Sequence, residues 1–280
     1  MSRPIERKGP VRLIWMAKDA PTISSGYGIV GKHFLPRMAA RYGKENVLIL
    51  APVFHQFAQS EFEGMKILAG VSSDFGENII LEHWKEHQPL TFVLTCGDWA
   101  QYRRLPELAS KDELRWVAWS AYDFTKVPDD AVAGTVRFAW KIVPWTRYSE
   151  TKFRGHKLPN VTYPSPLAND TNLWQPLDPR AWTKLMASNG FQEDTFNILM
   201  VQANQTRKYV PQQLQGIAVF RKAHPEINVR LYCHVPPVGD FHLDQVIHAM
   251  GLDDCTAKVD DYIVSQGGIE ETKMVQLFNA

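Results

Sequence analysis

Short apolar runs, polar turns and stretches of helical period alternate along the whole chain. Val11–Ala17 (VRLIWMA) and Val47–Val53 (VLILAPV) are nearly continuous apolar runs, the pattern of strands buried on both faces. Between them Ile29, Val30, Phe34, Leu35 and Met38 share one side of a helical period and predict a helix. Met65–Ala69, Phe92–Thr95, Trp116–Ser120 and Lys141–Val143 read as further strands, and Asn160–Tyr163 as the last strand of this block. Asn78–His87 and a stretch around Asp130–Trp140 read as helices. A second block follows: strand Phe196–Val201, a helix with Leu214, Ile217, Ala218 and Phe220 on one side, and strand Val229–Cys233. Helix Leu243–Met250, strand Thr256–Val259 and helix Glu270–Asn279 complete it. Strands alternating with helices predict an α/β architecture with parallel sheets. The proline-rich polar run Pro164–Pro176 separates the blocks and predicts two domains, residues 1–175 and 176–280.

Composition narrows the class. A formal net charge of +1 gives no strong nucleic-acid signal, because a general nucleic-acid surface is clearly basic. Cys96, Cys233 and Cys255 are far apart, without metal spacing or a disulfide-rich pattern, which fits a reducing, cytoplasmic compartment. No apolar run is long enough for a transmembrane segment, and the charged start MSRPIERKGP has no apolar stretch of a secretion signal behind it. No cluster of Asp or His suggests a dedicated cation site, so no metal is expected.

Candidate chemistry sits where strands end, because open α/β sheets bind ligands at the carboxyl edge. The run Asn204-Gln205-Thr206-Arg207-Lys208 lies between a buried strand and a helix. Arg offers a planar fork of donors and Lys a compact charge, both suited to phosphate, although a basic solvated loop has the same pattern. Ser24–Gly28 (SSGYG), with Ser25, Gly26, Tyr27 and Gly28, also joins a strand to a helix, as an anion-binding helix start or as a plain turn. His55 and Phe57 follow the second strand on a loop. His234 ends a strand and either approaches a ligand or is a satisfied structural His. Asp98 ends another strand, as a ligand contact or a helix cap, and Ser149 with Glu150 reads as a helix start. Tyr122 and Asp123 follow strand Trp116–Ser120, and Asp123 either binds a ligand or bonds local backbone.

Asn204–Lys208, followed by a helix carrying Ala218 and Phe220, resembles the opening of the second domain of retaining GT-B glycosyltransferases of the glycogen-synthase-like and mannosyl-transferring kind (group 1, family 4-like). Ala203 stands where many relatives carry another Arg, and Ala168-Asn169 precede Asp170 where the family has Gly-Val. The resemblance implies two Rossmann-like domains and a nucleotide-diphosphate sugar as donor, held by Ser25–Gly28, Asn204, Arg207, Lys208 and His234. It implies Tyr122 and Asp123 beside the reacting sugar, in catalytic places, with an unidentified acceptor and retention of configuration. The family's acidic motif, two glutamates seven residues apart, is expected just beyond the last helix, so the second domain reads as incomplete. The alternatives are a non-catalytic nucleotide-sugar-binding module and a subunit completed by a partner chain; a homo-oligomer is also open.

Overall fold

The computed structural model describes residues 13–51, 60–69, 80, 84, 91–98, 102, 105–112, 114–122, 129–176, 178, 194–258 and 269–279. The chain divides into two compact units, residues 1–169 and 170–280. Of the expected features, His55, Phe57, Asp123 and most of the Asn78–His87 helix lie outside the described residues; Ile80 and Trp84 have helical backbone.

The first unit is a seven-stranded sheet. Its strands are β1 (Leu13–Ala17), β2 (Val47–Ala51), β3 (Glu61–Phe62), β4 (Met65–Ala69), β5 (Phe92–Asp98), β6 (Trp116–Ala121) and β7 (Lys141–Pro144), in the order β3-β4-β2-β1-β5-β6-β7. All neighbours pair in parallel except β3 with β4. β1 shows why an unbroken apolar run is needed at the centre. Leu13, Trp15 and Ala17 enter one core, with α1 (Gly26–Tyr42) packed over it through Val30, Phe34 and Met38. Ile14 and Met16 enter the opposite core, which is covered by α2 (Leu105–Asp112), α3 (Asp129–Val136) and α4 (Arg147–Gly155) through Leu105, Val136 and Phe153. Helices on both faces of a parallel sheet make this a doubly wound, Rossmann-like unit.

The expected strand Asn160–Tyr163 shrinks to a single bridge between Val161 and Ile142. Ile142 N–H donates to Asn160 O at 3.0 Å and Thr162 N–H to Ile142 O at 2.9 Å. Pro159 and Pro164 flank this segment and supply no N–H to extend the ladder.

The second unit holds a parallel three-stranded sheet in the order β10-β9-β8, from β8 (Phe196–Val201), β9 (Val229–His234) and β10 (Thr256–Lys258). Its core joins Met200, Leu231, Cys233 and Val235 to Val210 and Leu214 of α5 (Val210–Ala223) and to Leu243 and Ile247 of α6 (Leu243–Ala249). The residues just after Asn169 belong here for a physical reason. Trp174 donates its indole N–H to Glu271 Oε1 of α7 (Glu271–Phe278) at 2.8 Å, and its ring meets Phe278 edge-on at 5.5 Å. No helix among the described residues is long and apolar enough to cross a membrane.

Candidate functional site

The second sheet ends at a crown of two loops, one after β8 and one after β9. Val201 and His234 are register partners at the strand ends, so the loops start side by side. After β8 the chain runs through Gln202–Gln205 into a 3-10 turn, Thr206–Lys208, and then Tyr209 adopts left-handed backbone at φ 55°. That conformation costs a non-glycine residue about 1 kcal/mol or more. It redirects the chain into α5, where Pro211 sits at a position that loses no hydrogen bond.

Asn204 holds the two loops together. It is 4 % exposed and donates its amide N–H groups to Pro236 O at 2.9 Å and Phe241 O at 2.8 Å. Its own carbonyl accepts from Asp240 N at 3.1 Å. A Cβ on Gly239 would lie 2.4 Å from Asn204 O, so that position admits only glycine at this spacing. Asp240 then caps the turn: its Oδ2 accepts from Thr206 N at 2.6 Å and from Thr206 Oγ1 at 2.7 Å. These bonds favour the charged carboxylate and hold Asp240 below its ordinary pKa.

On that braced turn, Arg207 is exposed and Lys208 half-buried. Among the described residues neither side chain has a hydrogen bond or ion pair. The same loops and strand ends hold three buried polar atoms without partners among the described residues: Asn204 Oδ1, Gln205 Oε1 and His234 Nδ1. Burial lowers the His234 pKa, which keeps the imidazole neutral at pH 7. Orphaned buried polar atoms are uncommon in folded proteins, and water or a ligand normally completes them. Free cations on a fixed turn next to buried hydrogen-bonding atoms can receive an anion carrying polar groups. The sequence singles out Arg207, Lys208, Asn204 and His234, which this unit holds at the end of β9 and in the loop after β8. Nothing in it marks Gly239 and Asp240, which brace the turn from the other loop, Asp240 from 34 residues beyond Thr206.

The first unit treats its candidate residues differently. Helix α1 begins at Gly26, so Gly26, Tyr27 and Gly28 form its first turn rather than a loop before it. Ser25 is the cap: its Oγ accepts from Gly28 N at 3.1 Å and donates to Asp19 Oδ2 at 2.7 Å. A Cβ on Gly28 would stand 2.0 Å from Ile23 O and 2.8 Å from Ala20 O, so this glycine exists for chain packing. Gly26 is exposed, has nothing within 4 Å of an added Cβ, and its N–H has no partner among the described residues. Tyr27 leans against Trp145, with ring centroids 6.3 Å apart.

Tyr122, just after β6, is enclosed by later segments of the chain. It is 3 % exposed, packs edge-on against Phe153 at 5.6 Å and stacks on His156 at 5.8 Å. Its backbone explains Ser149: the Ser149 hydroxyl accepts from Tyr122 N at 2.9 Å and donates to Tyr122 O at 3.3 Å. The helix cap expected at Ser149 is Thr146, whose Oγ1 accepts from Ser149 N at 3.0 Å.

No family model matches the chain, and no curated protein does. Solved structures do. HepE of Anabaena, in complex with UDP and glucose, aligns at TM-score 0.61 with 14% identity, over 95% of this chain and 71% of HepE. WaaG, a glycosyltransferase involved in lipopolysaccharide biosynthesis, aligns at TM-score 0.65 with 14% identity, over 95% of this chain and 72% of WaaG. The fold is the α/β fold of GT-B glycosyltransferases. A UDP-N-acetylglucosamine 2-epimerase from Rickettsia bellii aligns equally well, at TM-score 0.62 with 9% identity over 96% of this chain and 72% of that one. The fold therefore hosts more than one reaction on nucleotide sugars.

Proposed function

We propose that the chain is a glycosyltransferase that binds a nucleotide-diphosphate sugar at the β8 turn and transfers the sugar, with retention, to an acceptor not yet identified. The observation that carries this reading is the pair of unpartnered cations, Arg207 and Lys208, on a turn braced by Asn204 and Asp240. In this reading Arg207 takes two diphosphate oxygens with its fork and Lys208 a third as a point charge. Negative charge grows on the diphosphate as the glycosidic bond breaks, and fixed cations stabilise it without reorganising. His234, neutral, offers its ring to a polar group of the same ligand. HepE in complex with UDP supports a donor of this class. In the first unit the amino end of α1, with the Gly26 N–H, is a separate candidate anion contact. Three cysteines, two of them buried, far apart in the sequence and without a disulfide-rich pattern, suit the cytoplasm in this reading.

Titration calorimetry with UDP and with uridine tests the proposal. A charge-assisted hydrogen bond contributes roughly 1.5 to 3 kcal/mol, so Arg207→Ala or Lys208→Ala weakens UDP binding about 10- to 100-fold. Uridine has no phosphate and its affinity stays the same. Equal losses for both ligands, or no loss, would return the two residues to a solvated surface. The epimerase favours a second reading, a nucleotide-sugar protein that transfers nothing. Release of UDP from UDP-glucose on adding candidate acceptors separates the two, because transfer frees UDP and neither epimerisation nor simple binding does.

A further inference from the structure

The amino edge of the second sheet, at the other end from the two-loop crown, is hollow. A cavity of about 190 Å³ opens there among the starts of β8, β9 and β10 and the last turn of α5. A water occupies ~30 Å³ of liquid, so this is room for a ligand of several heavy atoms. Its charged lining is Arg221, Arg230 and Asp254. Asp254 is already spent. Its two oxygens accept from Arg221 Nη1 and Nη2 at 2.9 Å each, a bidentate pair that holds the carboxyl below its usual range. Arg221 Nη1 also donates to Gly251 O at 3.4 Å. A guanidinium carries five N–H donors, so the Nε–H and one Nη2–H of Arg221 are left over, both on one edge of the planar group.

The rest of the lining is also rich in unused donors. Neither the Arg230 nor the Asn228 side chain has a hydrogen bond or ion pair among the described residues. Thr256 has given its proton away, to Leu252 O at 2.7 Å, and keeps an oxygen that accepts. Two cations against one carboxylate leave a net positive charge, and the one carboxylate is taken, so the lining suits an anion and not a metal ion. We propose that this cavity binds a phosphate monoester of a small hydroxylated carrier, with Arg221 and Arg230 on the phosphate and Asn228 and Thr256 on the carrier's hydroxyls. A planar fork of donors matches two phosphate oxygens, and the remaining volume takes the carrier. Arg230 and His234 lie four residues apart on β9, about 13 Å at ~3.3 Å per residue. The cavity shares no residue with the turn that carries Arg207 and Lys208, so it stands or falls separately from the nucleotide reading.

Titration calorimetry of the full chain with glycerol phosphate, inorganic phosphate and glycerol, at constant ionic strength, is the test. Glycerol phosphate is expected to bind, inorganic phosphate to bind more weakly and glycerol not at all. Arg230→Ala should weaken glycerol phosphate binding about 10- to 100-fold, the loss of a charge-assisted hydrogen bond. Arg230→Lys should restore only part of it, because an ammonium lacks the fork. Both variants should keep the unaltered chain's UDP affinity and circular dichroism, and Arg207→Ala should keep its glycerol phosphate affinity. No binding of glycerol phosphate overturns the proposal, and so does equal affinity for inorganic phosphate. Binding lost in Arg207→Ala but kept in Arg230→Ala overturns it too, and places the phosphate on the β8 turn. If Arg230→Ala fails to fold, Asn228→Ala removes an exposed side chain at the same cavity and should weaken binding about 2- to 10-fold; an unchanged affinity there overturns the proposal.

Discussion

Two strand-to-helix junctions that look alike in sequence end in opposite states. At the β1–α1 junction the polar groups are mostly closed on one another: Ser25 caps Gly28 and donates to Asp19, and Gly28 packs against the carbonyls of Ala20 and Ile23. At the β8–α5 junction the bracing is complete but the working groups are left over. Asn204 and Asp240 fix the turn, while Arg207, Lys208 and three buried polar atoms have no partners among the described residues. A polar loop at the carboxyl edge of a parallel sheet is thus no site by position alone. What separates the two is whether its hydrogen-bonding capacity is already satisfied by the protein.

Gly28 and Gly26 give the largest contrast. Gly28→Ala places a methyl 2.0 Å from a backbone oxygen that has no side-chain freedom to withdraw, and a loss of about 3 kcal/mol is expected. Gly26→Ala meets nothing and puts a better helix former in the first turn, so stability holds or rises by up to about 1 kcal/mol. Urea unfolding of both variants checks this. Equal effects would mean that the junction is looser than its packing indicates.

That pair also shows what the sequence carried. The strands of the first sheet other than the two-residue β3 were legible because double burial leaves a run such as LIWMA with no polar break. β8 was expected to be buried too, but only Met200 of its six residues is fully buried and Phe196 is exposed, because the three-stranded sheet covers it incompletely. Helix α1 was legible through Val30, Phe34 and Met38, which pack on the sheet as their spacing predicts. Gly26 and Gly28 were not distinguishable, because the carbonyls that confine Gly28 belong to a reversal of the chain at Ala20–Ile23 that no local pattern announces. The surroundings of Tyr122 were hidden for a related reason: it follows a strand end, and Phe153 and His156 of a later segment enclose its ring. Asn204 and Arg207 are near neighbours in one polar run, and only the return of residues 236–241 decides that the first is a brace and the second is free.

Gly239→Ala tests the brace from the other loop. Its methyl would fall 2.4 Å from Asn204 O and 2.7 Å from Asn204 Cβ, forcing the two loops apart. A loss of about 2 kcal/mol is expected in urea unfolding, with a weaker affinity for UDP because the turn carrying Arg207 and Lys208 shifts. Unchanged UDP binding in a destabilised protein would show that the cations do not depend on the brace.

The smallest effect is expected at Asp240, and its sign with pH is fixed. Two bonds from Thr206 hold the carboxylate below its ordinary pKa, with the backbone N–H contributing most. A group whose pKa is lower folded than unfolded adds stability that is fully present above the unfolded value, about 4 for Asp, and is lost as pH falls through the folded value. Asp240→Asn keeps the shape and an acceptor oxygen but removes the charge that makes these bonds strong. The variant should therefore be slightly less stable than the unaltered chain by a constant margin from pH 7 down to about pH 5. The margin should close below about pH 4, where the native carboxylate itself takes up a proton. Thermal melts of the two proteins across that range read the margin directly. A margin that persists unchanged into acid would mean that the turn is held by shape alone, and that the charge at Asp240 does nothing for the loop that presents Arg207 and Lys208.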